Sequence, residues 1–284
     1  MINLLCSIVS SSMIYVVFRI AKNYNCKLST LITYNYLAAS LLGLLLFRPF
    51  QTVEENNISG WIPFGILLGI LFILMFFLIG LSSQKTGITV TTLANKLSLV
   101  FPVLFSLIFF DEETTTVKLT GLITATLAVG LTLYKKDIKK TNILYILLPM
   151  LIFFGSGLVD SIVKYVQAVK ISDNEAGMYS MVVFFTAFLC GIVIMVFSKN
   201  TKYTIHFPTV ILGILLGTVN FGSLYFIIRA LNTSNLESSM VFALNNMSIV
   251  ALTAMLGTIL FKERLNKINF AGIVLAIVSL YFLL

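Results

Sequence analysis

Continuous apolar runs about twenty residues long recur along this chain, and they decide its fold class. A helix needs roughly 20 apolar residues to cross ~30 Å of hydrocarbon. The run over 61–82 is of that length and carries no charge. Lipid offers the backbone no hydrogen-bond partners, so a spanning segment must satisfy itself as a helix or within a closed barrel. Barrel strands alternate over ~10 residues, and these runs do not. Composition agrees. Apolar residues make up 58% of the chain and charged residues 11%, with a mean hydropathy of +1.01, whereas a soluble domain carries about 25% charged residues. The chain reads as an all-α integral membrane protein.

Ten spans are expected, over 2–20, 30–48, 61–82, 86–110 and 116–134, then 143–166, 175–197, 208–230, 234–261 and 267–284. The first reads as a span rather than a cleavable signal, since no basic residue precedes it and no small-residue cleavage site follows. A basic segment, Lys135-Lys136-Asp137-Ile138-Lys139-Lys140, divides the spans into two sets of five. The predicted organisation is a first five-helix repeat at 1–134, a linker at 135–142 and a second repeat at 143–284.

The two sets resemble each other in sequence. An offset of 151 residues aligns Asn95 with Asn246, Phe110-x-Glu112 with Phe261-x-Glu263, and Gly121 with Gly272, without a gap. Slightly upstream, Gly65-Ile66-Leu67-Leu68-Gly69 returns as Gly213-Ile214-Leu215-Leu216-Gly217. At an offset of 145, Ser11 meets Ser156 and Arg19 meets Lys164. A repeat with an odd number of spans enters the membrane from opposite sides in its two copies. That is the inverted-repeat arrangement of many secondary transporters, with the substrate near the bilayer midplane. The fold class expected is ten transmembrane helices in two inverted five-helix repeats.

Ten short-looped spans, the duplication, and the Phe-x-Glu joins between spans four and five and between nine and ten resemble the drug/metabolite transporter superfamily, most of all its EamA-like branch. The matching stretches are Phe101-Pro102-Val103 through Phe110-Asp111-Glu112 to Gly121, and Leu260-Phe261-Lys262-Glu263-Arg264-Leu265 to Gly272. The resemblance implies a carrier of amino acids, drugs, nucleotide sugars or other metabolites. One position departs from the duplication: Pro102 of span four corresponds to Thr253 of span nine, so a kink matched in both halves is not assured.

A net charge of +8 would suggest nucleic acid for a soluble chain; here it reads as cytoplasmic loops, where Lys and Arg collect. The loops after odd-numbered spans hold thirteen basic residues: Arg19, Lys22, Lys27, Lys85, Lys135, Lys136, Lys139, Lys140, Lys199, Lys202, Lys262, Arg264 and Lys267. Arg48, Lys118, Lys164, Lys170 and Arg229 lie near the other face. The count places the linker in the cytoplasm and both termini outside, the reverse of how relatives in the superfamily are usually drawn. The expected location is the bacterial inner (cell) membrane.

Charge at the bilayer centre costs on the order of 3 kcal/mol, which makes an intramembrane ionisable residue a functional candidate. Lys96 sits mid-way along span four, too deep to reach either interface. Asn95 adjoins it, and Asn246 and Asn245 lie on the repeat-related span nine. A lysine and three amides suit carboxylate, phosphate or hydroxyl groups; an interhelical polar clamp is the structural alternative. Asp160 is the acid of span six, with Lys164 four residues on and Lys96 as a second possible partner. It reads either as half of a structural ion pair or as a carboxylate linked to protons or substrate. Ser11, Tyr15, Tyr34, Asn35, Ser156, Asn220 and Tyr225 are further cavity candidates, while Tyr34 and Tyr36 also suit an interfacial belt. Glu112 and Glu263 open spans five and ten, where the positive helix end favours a carboxylate cap.

An enzyme lacks its parts here. The single histidine, His206, lies in a basic loop, and there is no HExxH, Cys/His cluster or Gly-rich phosphate loop. Cys6, Cys26 and Cys190 read as packing residues. No cofactor and no nucleic acid are expected. The function expected is a secondary transporter for a small polar metabolite, with a proton or counter-substrate as coupling partner and the lipid bilayer as solvent. A flippase for a lipid or lipid-linked sugar is the alternative.

Overall fold

The computed structural model describes residues 2–47, 58–109, 116–133, 143–170, 176–197, 206–233, 238–263 and 265–282. Eleven α-helices appear among them, and no strand: α1 (Ile2–Asn23), α2 (Leu28–Phe47), α3 (Ile58–Lys85), α4 (Ile88–Leu97), α5 (Val100–Phe109), α6 (Thr116–Leu133), α7 (Leu144–Val169), α8 (Ala176–Phe197), α9 (Phe207–Thr233), α10 (Ser238–Phe261) and α11 (Lys267–Phe282). Seven of these, α1, α2, α3 and α7 to α10, are long and apolar enough to cross a bilayer. The protein is a multi-pass helical membrane protein. The 135–142 linker and Glu112 lie outside the described residues.

Span four is a correction to the sequence reading. The expected continuous helix over 86–110 breaks into α4 and α5 at Ser98-Leu99. Proline has no N–H, and its ring clashes with the carbonyl four residues back, which for Pro102 is that of Ser98. The Ser98 carbonyl instead accepts from Phe101 N at 2.9 Å, and Pro102 falls in the first turn of α5, where a missing N–H costs little. Helix α10, which the sequence offset pairs with span four, runs unbroken; Thr253 donates its hydroxyl to the Ile249 carbonyl at 2.7 Å and the Val250 carbonyl at 3.1 Å. No such break interrupts α10, where Thr253 stands at the position the sequence offset matches to Pro102.

α4 is the helix the rest surrounds. It packs against α1, α3, α6, α7, α10 and α11, and Ile88, Thr89, Thr91, Thr92, Leu93, Ala94 and Leu97 are all buried. Other helices show apolar residues outward, as Ile66, Ile70, Leu74 and Phe77 do along α3. Such a stripe would be a liability in water and is ordinary surface in lipid.

With lipid outside, helices gain little from hydrophobicity against one another and are held by close packing of small residues. Gly65 and Gly69 press α3 onto α8, where a Cβ on Gly69 would meet Thr186 Cβ at 2.6 Å and the Val183 carbonyl at 2.8 Å. Gly213 and Gly217 press α9 onto α2 in the same way, against Leu31, Tyr34, Asn35 and Ala38. Tyr36 is buried in an aromatic cluster with Phe76 and Phe184, so it belongs to the core and not to an interfacial belt.

At one face the C-terminal ends of α1 and α3 come together. Arg19 Nη1 donates to the carbonyls of Ser83 at 3.1 Å and Gln84 at 2.6 Å, and Lys22 Nζ to that of Gln84 at 2.8 Å. Gln84 Nε2 returns a bond to the Phe18 carbonyl at 3.1 Å. The end of α10 joins them, with the Arg19 guanidinium 5.9 Å from the Phe261 ring centre.

Candidate functional site

The break in α4 places a helix C-terminus inside the bundle, and Lys96 stands in that last turn. The final carbonyls of a helix lack intrahelical partners and carry partial negative charge, which is where an ammonium is best tolerated. On a helix that is mostly buried, Asn95 and Lys96 are half-buried and reach accessible space. Asn95 Nδ2 donates to the Tyr15 hydroxyl of α1 at 2.6 Å. Ser98 Oγ bonds back to the Asn95 carbonyl and also lies 3.3 Å from Asp160 Oδ2 on α7. Lys96 and Asp160 lie near enough to each other to interact electrostatically.

The position of Asp160 matters most. Leu147, Leu151, Phe154 and Leu158 form the exposed lipid-facing stripe of α7. At about 100° per residue, Asp160 lies roughly 200° around the helix from Leu158. It shares the inward side with buried Ile152 and Ser156, yet it is exposed. That exposure sets it apart from the buried residues on the same side of α7.

The structure links Tyr15, Asn95, Lys96 and Asp160 where α4 meets α1 and α7. Asn245 and Asn246 are buried on α10, which packs on both α1 and α4, and the Asn245 Oδ1 acceptor has no partner. Ser11 and Ser156 are buried four residues before Tyr15 and Asp160, hence on the same helix faces. Asn35 and Asn220 lie elsewhere: Asn220 Nδ2 donates to Asn35 Oδ1 at 3.3 Å between α9 and α2, and nearby Ser7 Oγ donates to the Ser223 carbonyl at 3.1 Å. These are buried polar ties between helices. Tyr225 accepts from Arg229 Nε at 3.1 Å and stacks on Phe221, away from the Lys96 group. Tyr34 is half-buried against Gly213.

Ser98 was missed by sequence reasoning. Its signal was present, because the residue four before a proline loses its helical partner. Thr92, which reaches the Tyr15 hydroxyl, gave none. The capping role expected of Glu263 exists but on another helix. Its carboxylate accepts from Ile88 N at 2.6 Å and Thr89 N at 3.2 Å, the start of α4 and not of the tenth span. Among the described residues no group of three His, Cys, Asp or Glu side chains is placed to hold a metal.

No protein-family model matches the sequence. The chain is 29% identical over 290 residues to an uncharacterized protein of Haemophilus influenzae, covering 99% of this chain and 98% of that one. It also superposes on a protein known from its crystal structure with a TM-score of 0.57, across 99% of this chain and 97% of the other. Sequence identity there is 13%, so the likeness is one of fold along the full length.

Proposed function

We propose that this chain is a secondary transporter for a small polar metabolite, built as ten spans in two inverted five-helix repeats of the drug/metabolite transporter kind. The observation that carries the reading is the exposed carboxylate of Asp160 on the inward face of α7, across from Lys96 at the break in α4. Opposite charges, a hydroxyl and amides grouped at a discontinuous helix suit reversible binding of a polar solute. An apolar cargo would gain nothing from them.

The pattern of helix packing supports the repeat. Counting α4 and α5 together as span four, exchange of the halves carries the α1–α9 contact onto α7–α3, α2–α9 onto α8–α3, and α1–α10 onto α7–α4. The pairs α2–α8, α4–α10 and α6–α11 map onto themselves, as helices flanking a two-fold axis must. The paired glycines occupy equivalent contacts, α3 on α8 and α9 on α2. The meeting of the ends of α1, α3 and α10 at one face suits helices that are all odd-numbered spans.

The test is uptake and efflux by proteoliposomes offered a pool of metabolites, read by mass spectrometry. Retention of one class of small polar solute, lost in Lys96→Met, is the expected result. Movement of lipid analogues alone favours the flippase, and no movement of either overturns the reading.

A further inference from the structure

α4 begins without a cap of its own. The preceding residue is Gly87, which has no side chain to offer and holds φ at 109°. The first N–H groups of a helix need outside acceptors, and these come from Glu263, which lies 175 residues away from Ile88 in the chain. The seat is close-fitting: a Cβ on Gly87 would lie 2.5 Å from Glu263 Oε1, and one on Gly257 2.6 Å from Oε2. The end of α10 aims the side chain. Lys262 takes a left-handed φ of 51°, and Glu263 N–H turns back to the Gly257 carbonyl at 3.0 Å. The carboxylate therefore meets two N–H donors and the positive end of a helix together.

This contact lies at the face where Arg19, Lys22 and Gln84 tie the end of α1 to that of α3. The opposite face differs. Among the described residues α1 and α2 both pack on α3, whereas the equivalent pairs α7–α9 and α8–α9 have no comparable packing. The carboxylate cap lies at the end of α3, the helix that both α1 and α2 grip.

We propose that Glu263 is the latch of this gate. By holding the N-terminus of α4 to the end of α10 it keeps the face shut, and its release frees α4 to move as a rigid ten-residue unit whose far end carries Lys96. The proposal rests on the transporter reading for its purpose, and its test does not. Ser83 is fully buried at this face. A Ser83→Cys reporter, with Cys6, Cys26 and Cys190 replaced by alanine, is treated in detergent micelles with a hydrophilic maleimide. The expected result is slow modification with Glu263 in place, about tenfold faster modification in Glu263→Ala, and an intermediate rate in Glu263→Gln, which keeps one acceptor oxygen. A Ser7→Cys reporter between α1 and α9, buried to the same degree, should keep its rate. Unchanged Ser83→Cys labelling in the folded Gln variant overturns the latch, and so does an equal rise at Ser7→Cys, which marks general loosening. Faster labelling at Ser83→Cys alone in a protein that moves no solute supports the latch while removing the transport reading.

Discussion

The side-chain amide of Asn95 donates to the hydroxyl of Tyr15 across 2.6 Å, joining the last turn of α4 to the middle of α1. It orients the residue beside Lys96 from a helix of the same half. Tyr15→Phe removes the acceptor while keeping the ring, leaving a half-buried amide without that partner. The expected cost is about 1 kcal/mol of stability, with substrate affinity falling more than maximal rate. Thermal unfolding and concentration-dependent transport measure the two effects.

Lys96→Met separates a binding role from a clamp. Asp160 is exposed, with Ser98 Oγ 3.3 Å from its Oδ2, so loss of the lysine does not strand it. Stability should change by less than about 1 kcal/mol, as for accessible ion pairs, while transport is abolished. A fall of several degrees in Tm, restored by combining Asp160→Asn with Lys96→Met, would reassign the pair to structure.

Pro102→Ala restores an N–H that can reach the Ser98 carbonyl and join α4 to α5. An interior proline costs a helix about 3 kcal/mol, although the Phe101 bond already recovers part of that. The expected outcome is a higher Tm and impaired transport, because the helix end beneath Lys96 disappears. A variant that transports normally would show that the break is dispensable.

Two glycines of different surroundings should respond oppositely. A Cβ on Gly217 meets the Asn35 carbonyl and, at 2.6 Å, Ala38 Cβ. Backbone atoms cannot step aside, so Gly217→Ala should destabilise by about 1–3 kcal/mol. At Gly60 an added methyl would meet nothing within 4 Å, and Gly60→Ala should be neutral or gain up to ~1 kcal/mol in helix propensity. Thermal denaturation in one detergent compares them.

The charge count predicts which loops face the cytoplasm. Lys85→Cys, at the end of α3, should resist an impermeant thiol reagent in intact cells, and Lys170→Cys, after α7, should react. The reverse pattern would invert the protein in the membrane.

Apolar length alone was enough to establish helices that cross a bilayer, because lipid leaves the backbone no other way to satisfy its hydrogen bonds. Lys96 and Asp160 were legible for the same reason: a charge in an apolar run stands out whatever its neighbours. Their meeting was not. Asp160 had both Lys164, four residues away, and Lys96 as candidates, and only the packing of α7 against α4 decided for Lys96 and brought Ser98 beside it. Pro102 stood in plain view, but how the break would be repaired depended on which donor reached the Ser98 carbonyl. Glu263 shows the limit most clearly. Its position at a helix end foretold a cap, since a carboxylate seeks free N–H groups. Which helix it would serve depended on α10 delivering it to the uncapped start of α4, a meeting of distant segments that local propensity does not encode.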